Sequence, residues 1–194
     1  MRFADCANIS FTTSLQVENF MIYYIGDTHF GDDRIRRLAG RPYASVEEMD
    51  CDLVRKWNKR VGIEDTVCIL GDFALDDSSA QVIDKLQGKK VLLLGNHDNV
   101  LSLATLRRFD FVQTIYTIDD RGRSVCLCHY PLLSYDRSVY DGYHVFGHIH
   151  NNPNDRAFHL QALLAHSLNC SADVVDFTPR TLDELIAFKT EGKI

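Results

Sequence analysis

The chain has 194 residues, 45% of them hydrophobic and 25% charged, with 4 Pro and 11 Gly, which fits one compact domain with a sizeable core and excludes a disordered or fibrous chain. Its formal charge of -6 argues against a nonspecific polyanion binder, because such proteins carry a basic face that displaces counterions. No apolar run approaches the roughly 20 residues of a membrane helix, and the opening MRFADCANIS lacks the basic start and apolar core of a signal peptide, so the expected location is the cytoplasm.

Strand and helix signals alternate along the first half. Residues 1–20 precede the first strong pattern and read as an extension or edge element with no legible role. FMIYYI (20–25) is a short aromatic and β-branched run ending at Gly26, the first predicted strand. A polar loop, GDDRIRRLAGRPY, follows. Ser45 and Glu48 have capping-box spacing, and Val46, Met49, Leu53, Val54 and Trp57 make one apolar stripe, so a helix is predicted to about Val61. TVCIL reads as a strand. DDSSAQVIDKLQG reads as a helix capped near Asp76 or Asp77 and stopped by Gly88, and KKVLLLG as another strand.

Further on, VLSLATLRRF predicts a helix, and FVQTIYTI and RSVCLCHY predict two strands joined by a DDRG hairpin turn. YHVFGHIH and a weaker ALLAHSLNC continue the strand pattern before Thr181, with Glu184 at capping-box spacing, opens a last helix. A parallel first half and an antiparallel second half predict two packed mixed sheets with helices outside, an α/β (α+β) fold in a single domain over 1–194. The six cysteines, Cys6, Cys51, Cys68, Cys126, Cys128 and Cys170, include no CxxC pair and lie partly within apolar runs, so free, buried thiols are expected. Cys126 and Cys128 share one strand face, with Val125, Leu127 and His129 on the other.

Seven potential metal ligands fall into five short islands: Asp27 and His29 in IGDTH, Asp72 in LGD, Asn96 in GNHD, His129 in CLCHY, and His148 with His150 in GHIH. Each island follows a predicted strand, which gathers the side chains along one sheet edge, where open α/β sheets place their ligand sites. If strand geometry persists past Ile25, Asp27 and His29 project to one side and chelate one ion; the same holds for His148 and His150. A lone D-x-H or H-x-H is as readily a surface loop or a packed histidine. Asp72 is a candidate bridging carboxylate or a turn aspartate beside Gly71. Asn96 offers a neutral amide oxygen, although Asn-His-Asp also suits helix capping before Val100. Four imidazoles, two carboxylates and one amide suit Mn, Fe, Zn, Ni or Co better than Mg or Ca. Mn is the favoured member of that set. Two such dications would bring the net charge of -6 to about -2 and give an anionic ester local positive charge to meet.

D-x-H, G-D, G-N-H-D, a lone His and G-H-x-H in this order resemble the calcineurin-like metallophosphoesterases from about Met21 onward, and LNCSADVVDFTPRTLDELI resembles the end of small bacterial and phage-type members. The resemblance implies a four-layer double-sheet sandwich. It also implies one metal on Asp27, His29, Asp72 and His150 and a second on Asp72, Asn96, His129 and His148.

Both lines imply hydrolysis of a phosphate ester by a hydroxide shared between two dications, its water acidified from about 15.7 towards about 7. His97 is left over as proton donor to the leaving oxygen or hydrogen-bond donor to the phosphoryl group, with Asp98 to orient its ring. Asn96, His97 and, more weakly, Arg34 are the candidate substrate contacts, Arg34 lying in a cluster with Arg36, Arg37 and Arg41 whose plainer role is a solvated basic helix end. His144, His159 and His166 are read as packing or surface residues. The expected partner is a small or nucleotide-like phosphate ester, with no membrane and no extended basic groove for nucleic acid. Phe30-Gly31-Asp32 stands where close relatives often have FGH, which puts inherited substrate preference in question. GDFALDD and GNHD differ from the GDxVDRG and GNHE of protein Ser/Thr phosphatases. The absence of a long insertion between islands favours an open site and, slightly, a phosphodiester. The competing classes are a noncatalytic scaffold of the same fold, like the retromer subunit of that superfamily, and a nuclease.

Overall fold

A computed structural model of the protein describes residues 20–192; the expected extension over 1–20 lies, but for Phe20, outside the described residues. Strand β1 (Ile22–Ile25) is followed by α1 (Asp33–Leu38), α2 (Val46–Arg60), β2 (Thr66–Ile69), β3 (Lys89–Leu93), α3 (Leu103–Leu106) and β4 (Phe111–Gln113). The second half runs β5 (Ile115–Asp120), β6 (Arg123–Cys128), β7 (Tyr143–Phe146), α4 (Arg156–Leu163), β8 (Ser167–Asn169) and α5 (Leu182–Thr190). Two four-stranded sheets result, ordered β1-β2-β3-β4 and β5-β6-β7-β8, with helices flanking them in an α/β architecture. Ile25, Val67 and Leu92 of the first sheet and Val125, Leu127, Val145 and Leu168 of the second belong to one buried apolar cluster. The two sheets therefore share a core.

Helix α2 forms as its stripe predicts. Met49, Leu53 and Trp57 are buried, and the Ser45 hydroxyl accepts from the Glu48 amide. The Glu48 carboxylate reaches back past the cap to the Ala44 amide at 2.7 Å, tying the entering loop to the first turn. Thr181 and Glu184 make the reciprocal capping box that opens α5. Arg121 (φ 57°) and Gly122 (φ 81°) form the two-residue turn between β5 and β6, the paired positive φ that a type I′ hairpin demands.

Several expectations are corrected. The polar loop after the first island contains α1, capped by Asp32, whose side chain accepts from the Arg34 amide. Residues Ser79–Lys85 form a 3-10 rather than an α-helix, and they bury Ala80 and Ile83. That spacing of three is the one a 3-10 turn stacks. FVQTIYTI is not one strand: β4 pairs with β3 and β5 with β6, so the chain changes sheet at Thr114. ALLAHSLNC divides between the end of α4 and β8. In the second sheet only β5–β6 is antiparallel, while β6–β7 and β7–β8 are parallel. Each parallel pair is joined by a connection of more than a dozen residues, the minimum a crossover needs.

The described cysteines, Cys51, Cys68, Cys126, Cys128 and Cys170, are free thiols. Burial pushes the Cys126 thiol up to about 11. Among the described residues no helix is long and apolar enough to cross a membrane.

Candidate metal centre

All five islands meet at the carboxyl ends of β1, β2, β3, β6 and β7, which face one another across the junction of the two sheets. The Asp27 amide bonds to the Gly71 carbonyl at 3.0 Å and the His29 amide to the Asp72 carbonyl at 2.9 Å, tying the first two islands together. The Gly147 amide donates to the His129 carbonyl at 3.0 Å, tying the last two.

Extended geometry does not persist beyond the strands, contrary to the expectation for D-x-H and H-x-H. Asp27, His29, Asp72, His148 and His150 all have positive φ, between 49° and 71°. A left-handed residue turns its side chain sharply out of the strand path, and for non-glycine residues that costs of order 1 kcal/mol. Glycines between them permit the crowding. A Cβ on Gly95 would stand 2.3 Å from Asp72 Oδ1, and one on Gly71, itself at φ 81°, 2.4 Å from His129 Nδ1.

The side chains converge on two foci. In the first, Asp27, His29 and His150 each bring a donor atom within 4.8 Å of the others, and His150 Nε2 stands 3.9 Å from Asp27 Oδ1. The second surrounds His129 Nε2, which lies 3.1 Å from Asn96 Oδ1, 3.2 Å from His148 Nδ1 and 3.6 Å from Asp72 Oδ2. Asp72 Oδ2 is also 3.6 Å from His29 Nε2. Asp27 also groups with Asp72 and His129, so it reaches the second focus as Asp72 Oδ2 reaches the first. The partner oxygen Asp72 Oδ1 is engaged by the His97 amide at 2.8 Å, which aims Oδ2 inward.

This donor set fits cations. His129 Nδ1 faces the Leu70 carbonyl at 2.7 Å and donates there, so in the neutral ring Nε2 presents a lone pair. A lone pair set against an amide oxygen and a carboxylate oxygen at these distances is repulsive unless positive charge lies between them. Donors about 2.0–2.2 Å from one ion are spaced much as these are. His29 Nε2 is buried with no hydrogen-bond partner, a costly condition for an imidazole unless it meets a ligand. Burial pulls the His29 pKa down to about 3, leaving the ring neutral as coordination requires. Burial, reinforced by His129, also lowers His148. Burial raises the Asp72 carboxyl against the pull of His129, as expected for a carboxylate crowded among other acids without a counter-charge.

The surrounding network is where sequence reasoning fell short. Asp98 is 1% exposed, and its carboxylate accepts from the amides of Asp72 at 2.9 Å, Phe73 at 2.9 Å and Gly95 at 2.8 Å. Its hydrogen-bond partners are thus backbone amides rather than the His97 ring, and it shapes the Asp72 loop. Asp173 accepts from His150 Nδ1 and from Arg41 Nε at 2.7 Å. Burial would lower His150, but the Asp173 hydrogen bond and the carboxylates of Asp27 and Asp173 outweigh it and hold the ring above its usual value. Arg41, grouped with weak phosphate contacts from sequence, is fully engaged inside: Nη2 donates to the Asp27 carbonyl at 2.7 Å and Nη1 to the Thr28 carbonyl at 2.9 Å. Asp173 was legible in one respect. It follows β8 at the same kind of strand end that carries the other islands.

The remaining residues sort simply. His97 is exposed at the mouth, its ring centroid 5.3 Å from that of His29. Arg34 has a side chain 65% exposed and pairs with Asp32. His144 is buried and receives the Leu132 amide at 3.0 Å, the packing role expected of it. His159 bonds the Pro153 carbonyl at 2.9 Å and lies edge-on to Phe158.

Over 177 residues the chain is 32% identical to the uncharacterized protein MJ1445 of Methanocaldococcus jannaschii, covering 89% of this chain and 93% of that one. The chain belongs to the MJ1445 family. The MJ1445-family fold recurs in the protein of unknown function AQ665 from Aquifex aeolicus, whose crystal structure matches with a TM-score of 0.71 at 24% identity over 88% of this chain and 100% of that one. A more distant neighbour is the nuclease MPE of Pseudomonas putida, with a TM-score of 0.44 at 21% identity over 66% of this chain and 61% of that one. No protein-family model matches the chain.

Proposed function

We propose that this MJ1445-family protein is a dinuclear metal-dependent phosphoesterase of the calcineurin-like type, acting on a small or nucleotide-like ester with a slight preference for diesters. The observation that supports this best is the position of Asp72 Oδ2, 3.6 Å from both His29 Nε2 and His129 Nε2, a carboxylate oxygen set between two groups of donors. Asp27, His29, Asp72 and His150 would hold one divalent ion, and Asp72, Asn96, His129 and His148 the other, with Mn the favoured metal. Two bound dications supply Lewis-acid activation of water and neutralise charge on the phosphoryl oxygens.

The chain's own residues do the rest. Asp98 fixes the loop that carries Asp72, and the His97 amide orients that carboxylate. Asp173 holds His150 in the tautomer that turns Nε2 inward, while Arg41 fastens the backbone of the first island. His97, exposed beside His29, would pass a proton to the departing oxygen or bond the phosphoryl group. The complete donor set counts against a noncatalytic scaffold.

Metal content after Mn loading should approach two ions per chain. Turnover of p-nitrophenyl phosphate and its bis ester with Mn then separates monoester from diester preference. A stoichiometry of zero, or inactivity on both esters with every divalent metal, sinks the reading and favours the scaffold.

A further inference from the structure

A cavity of about 390 Å³ opens beside His150, walled on one side by Ile35, Leu38 and Ala39 and on the other by Asn151 and Asn152. Ile35, Leu38 and Ala39 recur at i, i+3 and i+4 and so share one face of α1. That helix has no buried residue, and Leu38 is 83% exposed. Its charged groups are occupied elsewhere: Arg36 Nη1 donates to the Tyr43 carbonyl at 2.8 Å, and the side chains of Arg34 and Arg37, each 65% exposed, pair with Asp32 and Asp33. Leu38 and Ala39 are exposed and Ile35 is half-buried, so the stripe at the edge of the candidate metal centre is left largely open to an external occupant.

The wall chemistry limits that occupant. Besides His150, none of the lining residues is ionisable. The Asn152 side-chain oxygen accepts from the Asn154 amide at 3.0 Å, which leaves its NH2 group as a donor, and Asn151 adds a second amide that can both donate and accept. An apolar wall opposed by neutral amides suits a flat, uncharged group with hydrogen-bonding edges, and the volume lies within the range of small-molecule sites.

We infer that this cavity is the leaving-group subsite and that it takes the nucleoside portion of a phosphate ester, with the phosphorus directed at His150. The inference rests on the phosphoesterase reading for its orientation, but nucleoside binding itself needs no metal.

The test is an amide-resolved NMR titration of the full chain in EDTA with adenosine and with thymidine. Shifts centred on Ile35, Leu38, Ala39, Asn151 and Asn152 are expected, and Leu38→Glu, a change at an exposed position, should weaken binding about tenfold while Mn stoichiometry stays unchanged. In the Mn-loaded protein the same variant should lower kcat/KM for bis-p-nitrophenyl phosphate about tenfold. Shifts absent from this cavity, shifts unaffected by Leu38→Glu, or equal shifts with ribose 5-phosphate or hexanol would overturn the assignment. Nucleoside binding in a protein inactive on every ester would sustain the subsite and defeat the phosphoesterase reading instead.

Discussion

Asp173→Asn removes one charge from a buried junction while leaving its shape. The Arg41 side chain is 0% exposed and that of Asp173 7%, so the substitution leaves a guanidinium in the interior without its counter-charge. Breaking one side of such a pair costs about 3–5 kcal/mol. The retained amide oxygen still accepts one Arg41 hydrogen bond, and the carbonyls of Asp27 and Thr28 still hold Nη2 and Nη1, so a loss of about 2–3 kcal/mol is expected. His150 loses the acceptor that fixes its tautomer, and loss of such outer partners typically weakens metal affinity 10–100-fold, or about 1.4–2.8 kcal/mol. Urea unfolding of the metal-free protein reads the first effect. Calorimetric titration with Mn reads the second, and His150→Ala made in the Asp173→Asn background should cost less affinity than in the parent, because the two act through one contact. Unchanged Mn affinity together with an unchanged unfolding midpoint would refute the role given to Asp173.

Three further outcomes follow from the geometry. His97→Ala should retain both ions by metal analysis yet lose about 10²–10⁴ in kcat; unchanged turnover would remove His97 from the chemistry. Asp98→Ala orphans the buried amides of Asp72 and Phe73 at about 1–3 kcal/mol each and the half-buried amide of Gly95, so the urea midpoint should fall sharply along with Mn affinity. A fall in activity with stability intact would return Asp98 to a place beside His97. Burial lifts the Asp50 carboxyl from its ordinary 3.8 to about 6, so the folded state holds that proton more tightly than the unfolded chain. The ionised form therefore destabilises the fold above about pH 6, and the effect vanishes below 3.8. With solvent screening allowed for, Asp50→Asn should gain up to about 1 kcal/mol at pH 8 and nothing at pH 4, and an equal difference at both pH values would contradict the cause assigned.

How far the sequence could be read depended on the range of the interaction involved. The stripe of Met49, Leu53 and Trp57 and the cap at Thr181 are local patterns, and each folds as written. The break at Thr114 depends on which sheet each half of FVQTIYTI pairs with, information that resides in β3 and β6 rather than in the run itself. The gathering of Asp27, His29, Asp72, Asn96, His129, His148 and His150 was legible because each island is marked by the strand before it. The means of gathering was not, since left-handed backbone at Asp and His leaves no periodic trace. Arg41 and Asp173 lie 132 residues apart, and neither carries a local sign of the other. Their meeting is set by packing rather than by any pattern around either residue.

The five left-handed residues at the candidate centre carry a further meaning. At roughly 1 kcal/mol apiece their combined burden is a sizeable fraction of the about 5–15 kcal/mol by which whole domains stay folded. The amides of Asp27 and His29, bonded to the carbonyls of Gly71 and Asp72, help to hold that posture, so the direction of each side chain is fixed at the backbone. Residues chosen for this rim must satisfy two masters, a donor atom at the tip and a tolerant backbone at the root, and aspartate and histidine meet both where valine or isoleucine would meet neither.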